Sequence, residues 1–267
     1  MVMLSPLRWD RGALVQRVVR RLVRETHHRK ANALSLRYKD RFNPDLGCSQ
    51  SGEDGILREI FRRLGIERGW FVELGAWDGV LYSNAYALLQ KGWQGVGIEC
   101  DPDKFRELQR NMAGVTTYVP ICRRVTCAGD DRLEAILAGT AIPRDFELLS
   151  IDIDGHDYWV WESLKHYRPA VVVIEYNSHF SAADAKAIRI DETRVYDGES
   201  PRHGASAAAL EQLGRSKGYM LVAYTGFLNV IFVRQDLAGG KFERLPVACV
   251  PSQPGRVPFD RTEFIDV

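Results

Sequence analysis

At 267 residues, with 45% hydrophobic and 27% charged residues, the chain fits one large globular α/β domain, or one domain with an appendage. A formal net charge of +1 argues against a protein that binds nucleic acid through overall basicity, and no DNA partner is expected. The charge is uneven, however: Arg8 to Arg41 holds eleven Arg or Lys against three acids, Asp10, Glu25 and Asp40. Within 10–30, Leu14, Val15, Val18, Val19, Leu22 and Val23 recur at helical spacing, so residues 1–45 read as a basic helical arm. Its basic face is expected to pack on the body or on a partner subunit, as in a homo-oligomer, with an acidic glycan, nucleic acid or membrane surface as the other reading. Cys48, Cys100, Cys122, Cys127 and Cys249 have no zinc or C-x-x-C spacing and read as free thiols of a reducing compartment. Arginines interrupt the apolar residues near the start, and no run reaches 18 apolar residues, so no transmembrane segment and a cytoplasmic location are expected.

After the loop "RFNPDLGCSQSGED", a helix begins near Ser51 or Gly52, with Ile56, Leu57, Ile60, Phe61 and Leu64 as its stripe and Gly65 as its stop. A strand-then-helix rhythm follows. "WFVELG" precedes helix "SNAYALLQKG", "QGVGIEC" precedes "DPDKFRELQRNM", "TTYVPICRRVT" precedes "DDRLEAILAG", and "FELLSIDID" precedes "DYWVWESLKHY". "AVVVIEYN" is a fifth strand, residues 178–202 are a long loop, and "GASAAALEQLGRSKG" is a helix before the strands "YMLVAYTG" and "LNVIFVRQ". Near-continuous apolar strands alternating with helices indicate a mostly parallel sheet covered on both faces. The last two strands are joined by a short turn at Gly226, so one of them runs antiparallel, giving seven strands in all. Residues 46–267 form this one domain.

Open α/β sheets bind ligands outside the carboxyl ends of their strands. The first such end reads "FVELGAWDGVLYSN", which is neither G-x-G-x-x-G nor a P-loop. Gly75 lets a ligand approach the backbone, and Glu73 beside it suits a cationic or amine-bearing ligand. The second strand ends "GIECDPD", placing Glu99 where an acid holds ribose hydroxyls. An adenosyl ligand with a positive end, S-adenosylmethionine (SAM), satisfies both.

"ELGAWDG" followed by "GIECDP" resembles motifs I and II of class I SAM-dependent methyltransferases, whose fold is a Rossmann-like α/β sandwich. The wider pattern, from "SQSGEDGIL" through "SIDIDG", resembles the FkbM-type methyltransferases associated with sugar and polysaccharide O-methylation, over about residues 48–235. The resemblance implies that Glu73, Gly75 and Asp78 line the methionyl end, that Ser83 also binds the cofactor, that Glu99 holds the ribose, that Ile121 and Cys122 flank adenine, and that Ser49 and Gln50 close over the cofactor. The arm before residue 40 lies outside it.

The segment "SIDIDGHDYWVW" crowds Asp152, Asp154, His156 and Asp157 after the fourth strand, and "VVVIEYNSH" puts Glu175, Asn177 and His179 after the fifth. Strand alternation predicts that Asp152 and Asp154 face one way, as do Glu175 and Asn177. Clustered carboxylates raise one another's pKa unless a cation intervenes, and oxygen donors without thiolates select Mg²⁺ over zinc. The arrangement is similar to catechol and macrocin-type sugar O-methyltransferases, which implies Asp154, Glu175 and Asn177 as metal ligands, with Asp152 as an alternative ligand or a support on the SAM side. "DGHDYWVWES" departs from the "DGDxYES" of the sugar enzymes at His156. A neutral histidine takes a hydroxyl proton, so His156 is the expected base beside Asp154, acting on a carbohydrate acceptor. Asp157 reads as a helix cap, Tyr158, Trp159 and Trp161 as packing aromatics, and His179 and His203 as loop histidines. The loop 178–202, with His179, Tyr196 and Arg202, is long enough to be a lid or acceptor site.

Overall fold

The alternating pattern becomes a sheet flanked by helices. The computed structural model describes residues 34–35, 49–191, 193, 200–256 and 259–267; the expected helix over 10–30, most of the basic arm and Tyr196 lie outside these. Among the described residues, the strands are β1 (Trp70–Leu74), β2 (Gln94–Glu99), β3 (Tyr118–Cys122), β4 (Leu148–Ile151), β5 (Val171–Glu175), β6 (Lys186–Ile188), β7 (Tyr219–Thr225), β8 (Asn229–Arg234) and β9 (Phe264–Asp266). The helices are α1 (Glu53–Leu64), α2 (Tyr86–Leu89), α3 (Pro102–Asn111), α4 (Leu133–Ala138), α5 (Asp157–Ser163), α6 (Ala207–Ser216) and α7 (Gln235–Ala238).

Seven strands form one sheet in the order β3-β2-β1-β4-β5-β8-β7. β1 to β5 pair in parallel, and β8 runs antiparallel to both neighbours, β5 and β7. This is a Rossmann-like arrangement, mostly parallel, with a single reversed strand inserted next to the edge. β5, "VVVIE", is buried throughout, as a central strand covered on both faces must be.

Alternate side chains feed two cores. Val72, Leu74, Val96, Ile98, Leu149, Ile151, Val172 and Ile174 meet Leu133 and Leu137 of α4, Trp161 of α5 and Leu210 and Leu213 of α6. On the opposite face, Phe71, Leu148, Val171, Val173, Ile231 and Val233 meet Ile56, Leu57 and Ile60 of α1, Leu88 and Leu89 of α2 and Leu108 of α3. Trp161 lies 5.0 Å from Phe232 and 5.6 Å from Tyr219, ring centre to ring centre, and locks α5 to the sheet.

Local chemistry sets the helix ends. Asp101 caps α3 by accepting from the amides of Asp103 (2.7 Å) and Lys104 (3.3 Å), with Pro102 at the first helical position. Ser206 caps α6 through the Ala209 amide at 3.1 Å. The segment expected as a plain loop over 178–202 contains β6, which pairs antiparallel with β9. Trp159 Nε1 donates to the Ile188 carbonyl at 2.6 Å and ties this small sheet to α5.

Candidate active site

The first βα turn is folded tightly over the end of β4. Gly75 has φ +72°, and a Cβ there would lie 1.8 Å from the Asp152 carbonyl oxygen, so only glycine allows the two chain segments to touch. The amides of Gly75 and Ala76 both donate to the Ile98 carbonyl, at 3.0 and 3.2 Å. Asp78 closes the same turn by accepting from the Val80 and Leu81 amides at 2.9 and 2.8 Å. Non-glycine residues with positive φ gather here too: Trp77 at 46°, Tyr82 at 60° and Asp154 at 52°. Such strain persists where the surrounding structure over-determines it, which is typical of sites.

Glu73 is buried, and its carboxylate accepts from Ser83 Oγ and the Asn84 amide, both at 2.7 Å. It braces the turn from beneath, and burial pushes its carboxyl up to about 7 against the pull of those two bonds. Glu99 accepts from the amides of Trp77 (2.9 Å) and Asp101 (2.8 Å), one on each oxygen. Each oxygen keeps a second lone-pair direction, the acceptor capacity that a ribose diol needs. Cys122 stands beside Glu99 in register on β3, and Ile121 beside Ile98. Lys104 Nζ lies 5.0 Å over the exposed Trp77 ring. Ser49 is bound to Asp54, donating from N (2.6 Å) and Oγ (3.0 Å), while Gln50 is exposed. These residues fit an adenosyl cofactor: a glycine-only backbone cradle, with an acid one strand away.

At the ends of β4 and β5 strict alternation breaks down. β4 ends at Ile151, and the turn that follows puts Asp154 in a left-handed conformation. The expected pairing of side-chain directions therefore does not carry past the strand end. One ligand atom each from Asp154, Glu175 and His203 lies within 4.8 Å of the other two. Asn177, just past the end of β5, has its side chain engaged by neighbouring backbone. Its Nδ2 donates to the carbonyls of Pro201 (2.7 Å) and His203 (2.9 Å), and its Oδ1 accepts from the His179 amide (3.0 Å). Asp157 is the first residue of α5, with His156 as the N-cap position. The Asp157 carboxylate reaches back to the amides of Ile153 and Gly155, both at 3.0 Å, and so clasps the turn.

The histidines divide by partner. His156 Nε2 accepts from the Asp191 amide at 3.0 Å, which leaves the proton of a neutral ring on Nδ1. Burial pushes the His203 imidazole down, but Glu175, Asp157 and Asp154 outweigh it and hold the pKa above the usual value. His179 is held below it by burial and then by His203, Arg256 and Arg261. Burial and the Glu175 and Asp157 charges lift Asp154 to about 6, and burial with Glu175 lifts Asp157 to about 6. Asp152 is raised well above the ordinary range by burial and by Glu175, Asp157 and Asp154. Four carboxyl groups crowd against one imidazole and Lys104, and taking up protons or a cation relieves the crowding.

Two supporting residues escaped sequence reasoning. Glu53, fully buried at the start of α1, accepts from Thr225 Oγ1, Asn229 Nδ2 and the Ser51 amide, pinning α1 to the β7–β8 hairpin beside β5. The acid in "SGED" was the available signal. His203 reads from sequence only as a loop histidine, because its place beside the acids is set by Asn177 from another part of the chain.

Among solved structures, the chain is similar to the N-terminal domain of EvdMO1 with SAH bound: 15% identity, 79% of this chain and 96% of that one, TM-score 0.45. It is also similar to a SAM-dependent methyltransferase from Aquifex aeolicus (11% identity, 72% and 97%, TM-score 0.40). The fibrillarin pre-rRNA processing protein of Methanococcus jannaschii follows at 15% identity, 63% and 67% coverage and TM-score 0.43. No protein-family model matches the chain, and no curated protein matches it. No helix among the described residues is long and apolar enough to cross a membrane.

Proposed function

We propose that the chain is a SAM-dependent O-methyltransferase that acts on a sugar hydroxyl of an oligosaccharide, polysaccharide or glycolipid precursor, in the manner of the FkbM-type enzymes it resembles. The observation that carries this reading is the Gly75 turn pressed on the Asp152 carbonyl, with the Glu99 carboxylate on the adjacent strand. SAM bound there would supply an electrophilic methyl on a sulfonium, with a neutral thioether as leaving group.

The protein's task is then to bring the acceptor oxygen in line and to remove its proton. His156 already offers Nε2 as an acceptor towards the Asp191 amide. An acceptor hydroxyl in place of that amide would donate to the same lone pair, and its proton passes to Nε2 as the oxygen–methyl bond forms. A divalent cation held by Asp154 and Glu175 would make the hydroxyl more acidic, and Mg²⁺ is the ion the carboxylates alone would select.

The test is calorimetric titration of SAH and SAM, followed by transfer of labelled methyl from SAM to a panel of oligosaccharides. We expect both ligands to bind. His156→Gln should lower turnover by about 10²- to 10⁴-fold without weakening SAH. Unchanged turnover would remove His156 as the base, and no SAH binding would sink the methyltransferase reading.

A further inference from the structure

Just beyond β5, Asn177 is almost completely buried, and each polar atom of its side chain has a protein partner. Two more bonds hold the same stretch, from the Asn177 amide to the Ala205 carbonyl (2.8 Å) and from the Gly204 amide to the Gly155 carbonyl (2.9 Å). Segment 201–205 is thus fixed on both sides of His203, against the β5 end and against the 152–156 turn. Its ring is brought to Glu175, with Nδ1 3.4 Å from Glu175 Oε2.

That separation is longer than the about 2.7–2.9 Å of a charge-assisted hydrogen bond. It is close to the roughly 3.1 Å between two neighbouring ligands that each sit about 2.2 Å from one ion. Glu175 is only 9% exposed, and Oε2 has no hydrogen-bond partner among the described residues. A buried carboxylate oxygen whose nearest polar neighbour is an imidazole nitrogen beyond normal hydrogen-bond length, with a second carboxylate beside it, is an arrangement that a shared cation satisfies better than the long contact does.

We propose that Asp154, Glu175 and His203 are the protein ligands of a divalent first-row transition metal, and that Asn177 is the residue that positions His203. An imidazole nitrogen moves preference away from Mg²⁺, which favours all-oxygen shells, towards Mn²⁺ and the metals after it. Three protein ligands leave coordination positions for water and an acceptor hydroxyl. The ion's role in activating that hydroxyl rests on the methyltransferase reading, whereas its binding does not.

The experiment uses the full chain without SAM, titrated with Mn²⁺ and followed by electron paramagnetic resonance, with pulsed detection of ¹⁴N coupling. One bound Mn²⁺ with a nitrogen coupling is expected. His203→Gln should abolish the coupling and weaken binding by at least about tenfold. His203→Asp, an all-oxygen set, should narrow the Mn²⁺-to-Mg²⁺ affinity ratio. Asn177→Asp separates ligand from positioner: a carboxylate ligand would hold or tighten the ion, whereas a carboxylate facing two carbonyls should release the 201–203 segment and weaken binding. Absence of Mn²⁺ binding, bound Mn²⁺ without nitrogen coupling, or tighter binding by Asn177→Asp would each overturn the proposal. Parallel SAH calorimetry tells the two failures apart. SAH binding without Mn²⁺ binding removes the metal site alone, and Mn²⁺ binding without SAH binding removes the methyltransferase reading alone.

Discussion

Replacing Gly75 by alanine tests the contact between the first turn and the β4 end. Two separable penalties are expected. The first is the left-handed backbone, worth about 1–2 kcal/mol for a residue with a Cβ. The second is overlap: the added carbon would lie 1.8 Å from the Asp152 carbonyl oxygen, a backbone atom that no rotamer change can move. Ordinary contact requires the segments to part by roughly 1.5 Å, and overpacking of this kind adds about 1–3 kcal/mol. Gly114 supplies the control, because it has φ +81° with nothing within 4 Å of its hypothetical Cβ. Gly114→Ala should therefore show only the backbone cost, and Gly75→Ala about 2–5 kcal/mol in all. Urea unfolding of the two variants beside the parent measures both, and SAH titration reads the turn itself, where Gly75→Ala should bind more weakly. Equal stability loss in the two variants, with SAH affinity intact in Gly75→Ala, would refute the reasoning.

Glu73 predicts a pH dependence. Its folded pKa of about 7 lies above the ordinary 4.5, so the folded state holds the proton longer than the unfolded chain does. The resulting stability is complete below pH 4.5 and lost as pH rises to about 7. The span is on the order of 3 kcal/mol. Glu73→Gln should flatten the stability profile across that window in urea titrations at a series of pH values, and an unchanged slope would assign it to other groups. Trp161→Ala should cost about 3–5 kcal/mol in unfolding free energy. Trp161→Phe should cost clearly less, because the buried indole N–H, which has no hydrogen-bond partner among the described residues, leaves with the ring. Lys217 Nζ donates to the carbonyls of Leu164 (2.7 Å) and Glu162 (3.3 Å) at the end of α5. Lys217→Met should lose about 1–3 kcal/mol in the same assay, and a neutral result would show that water replaces it there.

Much of the architecture was legible because the strands are written as apolar runs closed by glycine or polar residues. "WFVELG", "QGVGIEC" and "AVVVIEYN" each became a strand of the main sheet, and the turn at Gly226 announced the reversed neighbour. β6 and β9 were not legible. Each has three residues, and they lie far apart in sequence, so neither carries enough period to stand out. In the site, the positions after β1, β2, β4 and β5 were readable from where acids follow apolar runs. The direction of the side chains was not. Period-two reasoning holds only inside a strand, and Asp154 lies beyond the end of β4 in a turn clasped by Asp157. The presence of His203 beside Asp154 and Glu175 follows from hydrogen bonds of Asn177 to carbonyls of a distant segment, which no local pattern encodes.

The place of β8 has a consequence for how the molecule is made. β5 lies in the interior of the finished sheet, yet its second neighbour is the last of the seven strands to be synthesised. Until the β7–β8 hairpin arrives, the edge of β5, "VVVIE", is open on a half-built sheet. Such an edge recruits other strands, including those of neighbouring chains. During synthesis the sheet can close only when the β7–β8 hairpin reaches this edge, with β8 inward and β7 outward. Pairing of Glu175 with Asn229 belongs to that final docking, so this flank of the acidic crevice is assembled last. Refolding yield should then fall with protein concentration more steeply than for a sheet that grows strand by strand in chain order.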